Sequence, residues 1–175
     1  LQGSGMDEDA RARFLEQFDA GNTETLVGFC VLGGIFSEGI DLKGKRLIGT
    51  VIVGVGLPGI GLRQDLIREY YNRTRGAGFD YAYVYPGMNK VLQAAGRVIR
   101  SEEDYGVVLL IDSRFATAKY RSLYPAHWAA LRHIRQTEEI GPLLSDFPHF
   151  QHSDIVETPA NKQRASKQSS ITINK

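Results

Sequence analysis

Hydrophobic positions in this chain follow two patterns, continuous runs and spaced stripes. The runs are "TLVGFCVLGG", "KRLIGTVIVGVG" and "GVVLLIDSRF". Unbroken apolar segments of that length predict strands buried on both faces, here over 26–32, 47–53 and 107–111. The stripes lie between them. Asp7 is placed to cap a helix over 8–20, with Ala10, Phe14, Leu15 and Phe18 on one side and Gly21 as a stop. "LRQDLIREYYNRTRGAG" predicts a helix that buries Leu62, Leu66, Ile67, Tyr70 and Tyr71. "DYAYVYPG" reads as a short extended piece, and "MNKVLQAAGRVIRSEE" as a further helix. Two weaker helices are expected around 116–124 and 126–139. Strands parted by helices predict an α/β domain whose mostly parallel sheet is covered on both faces. Beyond 150 aromatic residues vanish and Ser, Gln, Lys and Asn dominate. The expected organisation is one domain over 1–150 and a flexible polar and basic tail over 151–175.

Composition narrows the classes. A chain of 175 residues with 42% hydrophobic and 23% charged residues fits one soluble domain with a real core. No apolar run is long enough to cross a bilayer, so no membrane partner is expected. Cys30 is the only cysteine, which excludes an internal disulfide and a multi-cysteine metal site. Cys30 is expected in the core. The four histidines show no metal spacing, and no metal ligands are expected. An intracellular setting follows, cytoplasmic or, in a eukaryote, nuclear. A net charge of +1 leaves nucleic acid neither demanded nor excluded as a partner.

Two segments carry candidate chemistry. On a helix continuing to Ser101, Met88, Leu92, Ala95 and Ile99 fall on one side, and Gln93, Arg97 and Arg100 on another. That second stripe contains no acid, and Gly96 within it costs the helix about 1 kcal/mol relative to alanine. Arginine presents a planar fork suited to phosphate oxygens. Either the pair faces an anion or it meets acids elsewhere in the fold. The second segment, "TVIVGVGLPGIGL", has the G-x-G-x-x-G spacing at Gly54, Gly56 and Gly59, with Asp80 downstream. A dinucleotide fingerprint opens the first βαβ unit of its domain, whereas a strand precedes this one. The dinucleotide reading is rejected.

"QAAGRVIR", Gln93 to Arg100, resembles motif VI of superfamily 2 helicases, Q-x-x-G-R-x-x-R. "GGIFSEGIDLKG", Gly33 to Gly44, resembles motif V of their XPD/DinG branch, whose signature is S-E-G-I-D. "SEEDYGVVLLIDSRF" resembles the continuation typical of that branch, and "VGVGLPG" its small-residue loop. The resemblance covers about residues 6–128.

It implies a RecA-like, P-loop NTPase-type three-layer domain, the second motor lobe of a DNA helicase. The family couples ATP hydrolysis to translocation on single-stranded DNA and to duplex unwinding. Its implied partners are single-stranded DNA and the N-terminal RecA-like lobe of the same protein. ATP and Mg²⁺ are held mainly by that first lobe, whose Walker A and D-E-A-H strings are not in this sequence. The chain by itself is therefore expected to be inactive, and the opening strands of the lobe are expected to lie outside it. An iron–sulfur cluster, present in some members, belongs to the first lobe and stays open. By position, Arg100 matches the arginine finger and Arg97 its phosphate-directed neighbour. Gln93, Gly39 and Asp41 match the nucleotide side, while Gly33, Gly34 and Ser37 match the side that touches the nucleic-acid backbone. Two readings stand for Ser37, Glu38 and Asp41, which either do this work or cap the short helix that follows. The alternatives to a DNA motor are a non-catalytic RecA-like interaction module and an RNA or double-stranded-DNA translocase.

Overall fold

The structure, a computed structural model, describes residues 1–3, 5–36, 42, 44–100 and 104–145. Two strands, β1 (Gly49–Val53) and β2 (Val107–Ile111), pair in parallel, from Gly49 opposite Val107 to Val53 opposite Ile111. Both lie inside expected runs. A parallel pair requires a long crossover, and here it contains α2 (Leu62–Arg75) and α3 (Tyr85–Ala95). α1 (Glu8–Glu16) precedes the sheet, and α4 (Ala118–Arg121) follows it.

The core forms where α3 meets one face of the sheet. Met88, Val91 and Ala95 of α3 pack with Ile52, Val55, Val84, Phe115 and Tyr120. Val108, Leu110 and Trp128 pack against the edge of that cluster. Full burial of a side chain such as Met88 or Val91 contributes about 1.5–3 kcal/mol. Side chains alternate across a strand, so Val51, Val53 and Ile111 point the other way. They are exposed, Val53 at 73%. Among the described residues the sheet is thus covered on one face, not on the two that unbroken apolar runs suggest.

The expected strand over 26–32 does not form a ladder. Its main chain instead meets the N-terminus: Gln2 N donates to Phe29 O at 2.8 Å, and Val31 N donates to Gln2 Oε1 at 2.9 Å. Val27, Phe29 and Val31 are exposed, and Cys30 is exposed too, not in the core. An apolar run specifies a strand only where partner strands take its N–H and C=O groups. α1 packs beside this segment. Asp7 caps α1 as expected, its Oδ1 accepting from Ala10 N at 2.8 Å, but the helix stops at Glu16, short of Gly21.

Two further readings change. "DYAYVYPG" is helical, not extended. Asp80–Val84 form a π turn in which Tyr85 N donates to Asp80 O, and Pro86, which has no N–H, enters the first turn of α3. Gly78 presses this segment onto α2, since a Cβ there would stand 2.0 Å from Arg68 O. Tyr81 stacks on Tyr71 with ring centroids 3.9 Å apart. On α2, Ile67 and Tyr71 turn inward, but Leu62, Leu66 and Tyr70 are exposed.

Residues Leu1–Ala129 form one compact unit and Ala130–Lys175 another. In the second unit, a 3₁₀ turn (Thr137–Glu139) runs into α5 (Ile140–Ser145), in place of one helix over 126–139. Glu139 Oε1 accepts from Arg135 N and Gln136 N, and these bonds hold its carboxyl below the ordinary range. The tail over 151–175 lies outside the described residues.

Candidate nucleotide and nucleic-acid interface

Ligand sites in α/β sheets gather beyond the carboxyl ends of the strands. Here those ends are tied together, because Gly54 N donates to Ile111 O at 3.0 Å. Past β2, Asp112 accepts from Arg114 N at 2.9 Å and takes a two-pronged bond from the Arg114 guanidinium, at 2.9 and 2.8 Å. That guanidinium holds the Asp112 carboxyl below its ordinary value, and Asp112 in turn raises Arg114. Past β1, the loop through Gly56 lies under the start of α3. A Cβ on Gly87 would stand 2.5 Å from Val55 O, so only glycine permits this approach.

Asp80, the acid downstream of the G-x-G-x-x-G spacing, pairs with Lys119.

The motif VI arginines do not sit on a helical stripe. α3 ends at Ala95 with Gly96 as its cap, and tighter bonds follow, from Arg97 N to Ala94 O and from Val98 N to Ala95 O. Gly96 weakens the helix enough for the chain to turn there. The inward residue is consequently Val98, at 4% exposure, while Ile99, expected inside, is 50% exposed. Gln93 remains on α3 and is exposed. Arg97 and Arg100 come together: Arg100 Nε donates to Arg97 O at 3.0 Å. An acid also arrives, since Asp104 Oδ2 accepts from Arg100 N at 3.1 Å. Arg97 Nε and Arg100 Nη2 are closed off from solvent, and the bond to Arg97 O folds the Arg100 guanidinium back on the main chain.

On the motif V side, Gly33 has φ +79° within a turn closed by Gly34 N donating to Val31 O at 2.8 Å. The turn touches α3 through Lys90, whose stem lies across Gly33. Ser37, Gly39 and Asp41 lie outside the described residues. Lys90 lies outside the motif strings, while Asp104 and the Asp112–Arg114 pair lie within "SEEDYGVVLLIDSRF", whose resemblance gives them no contact partners. Lys90 stands three residues before Gln93, within one helical turn, and that spacing was a signal for it.

No group of three or more His, Cys, Asp or Glu among the described residues is arranged to hold a metal ion. No helix among them is long and apolar enough to cross a membrane.

Comparison with known proteins adds the family. Residues 2–130 match the helicase C-terminal domain. Over 76 residues the chain is 40% identical to regulator of telomere elongation helicase 1 of Homo sapiens, covering 43% of this chain and 6% of that protein. Over 97 residues it is 35% identical to the homolog of that helicase from Anopheles gambiae, covering 51% and 10%. Over 121 residues it is 33% identical to a probable ATP-dependent helicase of Methanocaldococcus jannaschii, covering 64% and 18%. The matched part is thus less than a fifth of each relative's length. The parallel α/β fold, the motif strings and a family match over most of the chain agree, and the chain belongs to the helicase C-terminal domain family.

Proposed function

We propose that this chain is the second motor lobe of an ATP-dependent DNA helicase, coupling ATP hydrolysis to movement along single-stranded DNA. The observation that carries the reading is the family match over 2–130 in a chain whose Arg97 and Arg100 meet just past the capped end of α3. ATP with Mg²⁺ supplies the phosphoryl group that is transferred to water. The donor set here suits phosphate oxygens, because a guanidinium offers charge and a planar fork together. The cation is assigned to the first lobe, as the family resemblance implies.

Arg100 is the proposed arginine finger and Arg97 its neighbour. To reach a phosphate on the other lobe, Arg100 gives up at least its bond to Arg97 O, which alone costs about 0.5–1.5 kcal/mol net. A finger supplies about 10³- to 10⁵-fold in rate, or about 4–7 kcal/mol. The gain exceeds the cost, so the folded-back arginine is compatible with the role. Gln93, Gly39 and Asp41 are proposed on the nucleotide side, and Gly33, Gly34 and Ser37 on the nucleic-acid side.

The test is ATP turnover by the full-length protein with single-stranded DNA, duplex DNA and single-stranded RNA added separately. Strong stimulation by single-stranded DNA is expected. Turnover that responds only to RNA or to duplex would replace the substrate, and no turnover with any of them would make the chain an interaction module.

A further inference from the structure

Lys90 belongs to none of the helicase strings and projects from α3 between its core positions. Met88 and Val91 on either side are buried, while Lys90 is half-buried. Its root lies at the loop after β1: a Cβ on Gly56, whose φ is +63°, would stand 3.6 Å from Lys90 Cβ. Its tip lies at the motif V turn. A Cβ on Gly33 would stand 3.1, 3.2 and 3.4 Å from Lys90 Cδ, Cε and Nζ. The stem therefore lies flat on a glycine that must stay bare, and the ammonium emerges beside that glycine's main chain. The other side of the turn is occupied by Gln2, whose Oε1 accepts from Val31 N. Among the described residues the ammonium takes part in none of the ion pairs. A lysine that lays its stem on apolar or bare surface keeps its charge at the rim, in water, where an anion can reach it.

We propose that Lys90 is a further binding residue for the phosphate backbone of a single-stranded nucleic acid, holding one phosphate at the Gly33 turn. This rests on the reading of that turn as the nucleic-acid side of the lobe. The chemistry is a point charge toward a phosphodiester oxygen, carrying no base preference. Through Lys90, α3, which leads into motif VI, touches the described start of motif V at Gly33. The same contact thus joins the proposed strand-binding side to the helix that ends at the arginines.

The experiment measures the dissociation constant of the full-length protein for a labelled oligothymidine across a salt series. Lys90→Met keeps the stem over Gly33 and removes only the charge. Lys90→Arg keeps the charge. Losing one phosphate contact should lower the slope of log affinity against log salt by about 0.7. Between about 50 mM and about 200 mM salt, the ratio of Lys90→Met to wild-type dissociation constants should narrow about 2.6-fold, the fourfold salt step raised to that power. Lys90→Arg should restore the wild-type slope. If the wild-type slope is steep and Lys90→Met matches it, the lysine proposal fails while the motif V reading stands. A weaker affinity for Lys90→Met with an unchanged slope marks a packing role and also overturns it. If the wild-type protein does not bind the oligonucleotide at all, the motif V reading fails, and this proposal with it.

Discussion

Gly87 faces the carbonyl oxygen of Val55 so closely that a Cβ on it would lie 2.5 Å away. The contact seats the first turn of α3 on the loop after β1. It sets where the rest of the helix, from Met88 to Ala95, meets the sheet.

Gly87→Ala should therefore destabilise the protein. The colliding atom is main chain, so the helix must move rather than a side chain rotate. A cost of about 1–3 kcal/mol is expected, as for overpacked cores. Thermal unfolding of the full-length protein checks it. An unchanged melting temperature would show that α3 is free to shift on the loop.

Val98 and Ile99 should behave differently although they are neighbours and both apolar. Val98 is buried and lies against Gly106, where a Cβ would stand 2.2 Å from Val98 Cγ1. Val98→Ala should cost about 1–3 kcal/mol. Ile99 is half exposed, and Ile99→Ala should stay within about 0.5 kcal/mol. Denaturant unfolding of the two variants separates them. The reverse order would restore the uninterrupted helix.

That pair shows what the sequence made legible. The parallel strands were readable because β-branched runs have few other ways to be buried, and Asp7 was readable because capping is local. Positions after Gly96 were not. A helical wheel assumes the helix continues, and a glycine turn rotates every later residue by an amount no spacing rule contains. Tyr81, Tyr83 and Tyr85 misled in the opposite way, alternating like a strand while packed on α2 through the Tyr71–Tyr81 stack. The run over 26–32 needed partner strands that no local pattern announces. Of the proposed site, the motif string singles out Arg97 and Arg100, and Arg100 Nε donates to Arg97 O. Asp104 stands in the quoted continuation, but its contact with Arg100 N depends on the turn after Gly96, which the helical stripe does not contain.

Acid should weaken the end of β2. The Arg114 guanidinium depresses the Asp112 carboxyl, so this pair stabilises the fold above the ordinary aspartate range. The contribution disappears as pH falls from that range through the lowered folded value. Arg114 is about half exposed, so the pair contributes no more than about 1 kcal/mol. Wild type should melt above Asp112→Asn near neutral pH, and the gap should close in acid. A gap independent of pH would mean that the bond to Arg114 N, which asparagine can keep, carries the effect.

The central claim is that Arg100 acts on the transferring phosphoryl group. Arg100→Ala in the full-length protein loses at least the bond to Arg97 O, worth about 0.5–1.5 kcal/mol, and removes no residue of the hydrophobic core. Arg100→Lys should fail nearly as badly in turnover, since an ammonium lacks the guanidinium fork. The deciding measurement pairs melting temperature with the kcat of ATP hydrolysis stimulated by single-stranded DNA. The account predicts that Arg100→Ala stays folded, binds DNA, and loses about 10³-fold or more in kcat. Near-normal turnover in a folded Arg100→Ala protein, or a loss that merely tracks unfolding, would contradict it.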